Sequence, residues 1–235
     1  MRRAAGLALA ALLAACSPAS ERVNPADHKA YFLWAGVEPR PDLLRRAEVL
    51  YILAGEVPAR GQGDYVSLRP GVPRLPDQDL WLVVRAARLD WNEQTWARVL
   101  GELRRWDNGT NRLIGLQIDF DAATRGLDGY GAFLQQLRAR LNPRYKLSIT
   151  GLMDWSANGD PAALARLKGT VDEVVVQTYQ GRETIPGYEA YLARLARVPV
   201  PHKVALVEGG AWREPSWLRQ DPGFRGTVVF LVNPR

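Results

Sequence analysis

The chain has 235 residues, 47% hydrophobic and 24% charged, a composition that supports a packed core and excludes a low-complexity polymer. Its formal net charge of +6 is spread along the chain without a basic cluster interleaved with aromatics, which argues against a nucleic-acid partner. One cysteine and two histidines leave no disulfide, no cluster of metal ligands and no sign of a cofactor.

The first elements read as a targeting segment. Met1-Arg2-Arg3 makes a positive start, and the apolar run over 4–15 is too short to span a bilayer as a mature helix. It ends in Leu13-Ala14-Ala15-Cys16, which resembles the lipobox of bacterial lipoproteins. A signal peptide over 1–15 and a lipidated Cys16 are expected, with the polar stretch 16–29 as a tether. The resemblance implies a membrane partner through the lipid anchor and a place in the cell envelope. Ser17 follows the cysteine where aspartate would suggest retention at the inner membrane, so the outer membrane, facing the periplasm, is the expected site.

From residue 30 onward, short apolar runs alternate with helical patterns. Strands are expected over 31–36, 49–55, 80–87, 113–119, 146–152, 172–179, 202–208 and 226–232. Pro41 suits a first helical turn. The Pro- and Gly-rich crossover 56–79 reads as irregular. Asp90, with Glu93 three residues on, reads as a helix cap before the apolar stripe Trp96, Val99, Leu100 and Leu103. Asp128 is the expected cap of the next helix, whose face carries Tyr130, Phe133, Leu134, Leu137 and Leu141. Asp160-Pro161 opens another, and Tyr188, Tyr191, Leu192 and Leu195 mark a last one. Eight strands separated mostly by helices imply parallel pairing and an α/β fold, a single-domain (β/α)8 barrel of the TIM type over 30–235. An open doubly wound sheet is the alternative, weakened because no glycine-rich fingerprint follows the first strand.

The stretch Leu113–Thr124, "LIGLQIDFDAAT", carries the functional argument. Gln117, Asp119 and Asp121 alternate with Leu116, Ile118 and Phe120, so a strand turns the polar trio to one side. In a barrel that side is the interior, and carboxylates are tolerable there only near the wet C-terminal end, where barrel enzymes place their sites. Salt bridging, with Arg85 for example, or capping of the next loop are the plain structural alternatives. Other strand ends bring Trp34, Arg85, Asp154, Trp155, Gln177, Tyr179 and Glu208 to the same mouth. Carboxylates, amides and aromatic faces together suit a sugar, so a polysaccharide is the expected partner.

"LQIDFDAAT", "LSITGLMDW" and "DEVVVQTYQG" resemble the matching segments of a bacterial family, domain of unknown function 3142. More distantly they are similar to the chitinase-like barrels of glycoside hydrolase family 18. That resemblance places the leaving-group acid on Asp121, with Asp119 and Tyr179 orienting an N-acetyl group that acts as internal nucleophile. Where that family has glutamate this chain has Asp121, and Gln117 replaces an acidic position. Glycosidase-like activity and non-catalytic glycan binding, or a purely structural role, therefore both stand at this point. A conventional two-carboxylate mechanism would instead recruit Asp154 or Glu208 from across the mouth.

Overall fold

The computed structural model describes residues 21–38, 40–59, 64–120, 127–152, 166–194 and 200–234. Eight strands run parallel: β1 (Ala30–Leu33), β2 (Val49–Val57), β3 (Asp79–Ala86) and β4 (Arg112–Asp119). They continue with β5 (Lys146–Leu152), β6 (Glu173–Gln177), β7 (His202–Val207) and β8 (Phe224–Phe230). Each pairs with the next in chain order, and β8 returns to β1 with Val229 opposite Tyr31. The sheet therefore closes into the (β/α)8 barrel that the alternation of elements predicts.

Helices α1 (Pro41–Arg46), α2 (Glu93–Trp106), α3 (Leu127–Arg140) and α4 (Tyr188–Leu192) lie in the crossovers. The cap of α2 is Asn92 and not Asp90: its side-chain oxygen accepts from the Thr95 amide at 2.7 Å. A cap must lie immediately before the first helical residue to reach the free amides of the first turn, and Glu93 is that first residue. Asp160, Pro161 and Leu195 lie outside the described residues.

Parity along the strands sorts the core into two. Leu116, Ile118, Leu147, Ile149, Val174 and Val204 face outward under the helices. Phe32, Tyr51, Trp81, Val83, Val175, Ala205 and Val228 fill the interior. Trp81 stacks on Tyr51 with centroids 5.8 Å apart and planes 3° from parallel. Gly115, the register partner of Trp81, has no room for a Cβ, which would collide with the Lys146 carbonyl and the indole.

The interior also holds a polar network toward the N-terminal end. Glu173 accepts from the Tyr51 hydroxyl at 2.8 Å and from Ser148 Oγ at 3.0 Å. Lys203 donates to the Tyr51 hydroxyl at 3.0 Å and lies 3.4 Å from Glu173. Gln117 Nε2 donates to Ser148 Oγ at 2.9 Å. Charges this far inside are tolerable because they are paired and hydrogen-bonded together.

Residues 21–29, expected as part of a tether, pack against the barrel. Glu21–Arg22 pairs antiparallel with Ala211–Trp212, beyond the C-terminal end of β7, and Val23 is buried. At the other end of the barrel wall, His28 Nδ1 bonds Thr227 Oγ1 at 2.8 Å, and the Tyr31 hydroxyl donates to the Pro25 carbonyl at 2.9 Å. Val23 and Pro25 supply the apolar surface that a free tether would leave in water.

Candidate active site at the barrel mouth

The C-terminal ends of β2, β3 and β4 border a cleft of about 390 Å³ lined by Glu56, Val57, Pro58, Ala59, Arg85, Ala86, Ala87, Asp119 and Phe120. Glu56, Arg85 and Asp119 are register mates across the three strands. Asp119 is 8% exposed and accepts from Thr150 Oγ1 of β5 at 2.9 Å. Glu56 is half-buried and Arg85 is exposed. Sequence reasoning finds Asp119 and Arg85 but misses Glu56.

Glu56 reaches the cleft through a bulge. In β2, Val49, Tyr51 and Leu53 face inward, so strict alternation would send Glu56 outward. The register slips between Leu53 and Gly55, and the extra residue turns Glu56 to the inner side beside Arg85. Gly55 permits this: Val66–Ser67 pairs antiparallel with Gly55–Glu56, and a Cβ on Gly55 would collide with the Tyr65 hydroxyl and lie 2.6 Å from the Val66 carbonyl oxygen.

Across the mouth an aromatic wall forms. Trp34, half-buried, packs edge-on against Phe230 at 5.2 Å, and Tyr179 lies on the other side of Phe230 at 5.4 Å. Burial holds the Tyr179 hydroxyl protonated well above the usual tyrosine range, and the Asp119 charge acts in the same direction. Gln177 hydrogen-bonds that hydroxyl. Tyr130 on α3 is raised for the same two reasons, burial first and Asp119 second. Asp119 is thus within electrostatic reach of both phenols.

Two expected ligand contacts are engaged elsewhere. Gln117 is fully buried below the mouth, held by Ser148, because its place two residues before Asp119 puts it one layer deeper. Glu208 pairs with Arg40 at 2.8 Å and accepts from the Val232 amide at 3.1 Å, clasping the segment after β8. Asp121, Asp154, Trp155 and Cys16 lie outside the described residues. Among the described residues no group of three or more His, Cys, Asp or Glu side chains could hold a metal.

Residues 82–188 match the family described as Domain of unknown function (DUF3142). The matched segment contains Arg85, Asp119, Thr150, Gln177 and Tyr179, and leaves out Glu56. No curated protein matches the chain. Among solved structures, the chain resembles the chitinase domain of the spore coat protein CotE from Clostridium difficile. The two are 13% identical with a TM-score of 0.53, over 91% of this chain and 74% of that one. It also resembles a xylanase and alpha-amylase inhibitor protein from Scadoxus multiflorus, 10% identical with a TM-score of 0.56 over 86% and 92% of the chains. A third likeness is to the CBM22-1–GH10 modules of a Clostridium thermocellum endo-1,4-beta-D-xylanase, 12% identical with a TM-score of 0.51 over 92% and 62%. At such identities the likeness shows the barrel fold alone.

Proposed function

We propose that this protein engages a polysaccharide at the mouth of its barrel, as a glycosidase-like lipoprotein of the cell envelope held by lipid on Cys16. The observation that carries the reading is Asp119: its carboxyl group is braced by Thr150 and borders a cleft, with Arg85 beside it. Opposite stands the Trp34–Phe230–Tyr179 wall, which offers apolar faces to the C–H surfaces of a sugar while the charged side meets its hydroxyls. The chitinase domain and the xylanase modules among the structural neighbours support a glycan as ligand class, and an N-acetylated one follows from the family 18 resemblance.

Non-catalytic glycan binding is the second reading. Gln117 stands at an acidic position of the family 18 pattern and is enclosed with Ser148, so that part of the motif's chemistry is absent. The plant neighbour is named an inhibitor and not a hydrolase.

The test is a glycan array followed by calorimetry with chitohexaose and xylohexaose. Wild type is expected to bind at least one of them, and Asp119→Asn or Arg85→Ala to weaken that binding by tenfold or more, roughly 1.4 kcal/mol. Absence of glycan binding by folded wild type would sink the reading. Mass spectrometry of the native protein with an unmodified Cys16 would remove the lipid anchor alone.

A further inference from the structure

We infer that Glu56 is the second acid–base residue of the cleft, facing Asp119 across β3 in a water-mediated glycoside hydrolysis that inverts the anomeric configuration. The inference rests on the reading that the cleft takes a glycan and adds the chemistry done there.

The geometry is that of a flanking pair. Glu56 and Asp119 are both register mates of Arg85, one from each neighbouring strand. Strands lie about 4.8 Å apart, which sets the two backbones about 9.5 Å apart. Both residues line the same cleft, and a backbone spacing of that size accommodates the carboxyl separation of about 6.5–9.5 Å that leaves room for an attacking water. Two acids leaving one strand on the same side could not bracket a bond in this way. Bulges of this kind re-aim side chains next to sites, and the one in β2 has that effect on Glu56 alone among the inward residues of the strand. Glu56 and Arg85 both line the cleft, the first half-buried and the second exposed.

Exposure assigns the roles. Glu56, the more open carboxylate, has access to solvent and takes a proton from water as the water oxygen bonds to the anomeric carbon. The bond from that carbon to the glycosidic oxygen breaks, its electron pair going to oxygen, which takes the proton of the Asp119 carboxyl. Glu56 ends protonated and Asp119 ionised, and solvent returns the proton. Arg85 lies between them as the contact for the sugar's oxygens. A substrate-assisted route through an N-acetyl group, implied by the family 18 resemblance, needs no second carboxylate and retains configuration.

The experiment uses the folded protein with chitohexaose and xylohexaose, following product anomers by proton NMR and binding by calorimetry. Wild type is expected to release the inverted anomer. Glu56→Gln is expected to lose at least about 100-fold in turnover with binding held within threefold and an unchanged melting temperature. Azide should restore turnover to Glu56→Ala, giving a glycosyl azide of inverted configuration. Retained configuration, or Glu56→Gln within threefold of wild type, overturns the inference. So does wild type that binds a probe without cleaving it, an outcome that leaves the glycan reading standing. Failure to bind either probe sinks both.

Discussion

Tyr51, Ser148, Glu173 and Lys203 meet inside the barrel, and their value to the fold lies in being complete. The Tyr51 hydroxyl donates to Glu173 and accepts from Lys203, and Lys203 also lies over the Tyr51 ring, 5.3 Å from its centroid. Burial and the Glu173 charge hold the Tyr51 hydroxyl protonated far above its usual range. Removing one charge would leave the other unpaired in the interior, which costs about 3–5 kcal/mol. Lys203→Met is expected to lose stability on that scale by urea denaturation. The double variant Lys203→Met/Glu173→Gln should regain much of it, since no unpaired charge remains. Additive losses would show that the pair is not coupled.

Elements carry the site by small departures from regularity. In β2 the slip after Leu53 turns one side chain around, and Gly55 makes room for the Val66–Ser67 strand that holds the slip in place. Gly55→Ala is expected to destabilise the fold by about 1–3 kcal/mol through overpacking and to carry off Glu56-dependent turnover with it. A melt and activity equal to wild type would show the bulge to be incidental. On the opposite side of β3, α2 begins at a single side-chain cap, and Asn92→Ala should cost about 1 kcal/mol in a urea titration. Asp90→Ala should cost less, because Asp90 does not cap that helix.

At the scale of the molecule, closure decides everything at the mouth. β8 returning to β1 brings Trp34, Phe230 and Tyr179 together from strands far apart in sequence, and the segment 21–29 fastens the outside of the wall. Closure also buries phenols. Tyr51, Tyr130 and Tyr179 all keep their protons above the usual range because burial disfavours the phenolate. In the unfolded chain they ionise near pH of about 10. Above that pH the unfolded state holds fewer protons than the folded one, so stability is intact below it and falls as pH rises. Chemical denaturation between pH 8 and 11 should show the decline, and Tyr130→Phe should flatten it; a slope unchanged by the variant would exclude Tyr130 as a source.

By itself the sequence determined the eight strands, their parallel pairing and the inward face of β4, while closure was seen only when β8 met β1. Period-two alternation and the spacing of apolar runs are local properties, set by residues next to one another. Asp119, Arg85 and Tyr179 were legible for the same reason, being inward residues at or just beyond strand ends. What only the tertiary structure decided depends on long-range contact. Gln117 is enclosed because Ser148 on the next strand meets it, and Glu208 is drawn into a clasp by Arg40. Residues 21–29 become part of the wall because Ala211–Trp212, beyond β7, offers them an edge and Thr227 of β8 a hydroxyl. Glu56 enters the cleft through a bulge held by a strand ten residues further on, against the alternation its own neighbours predict.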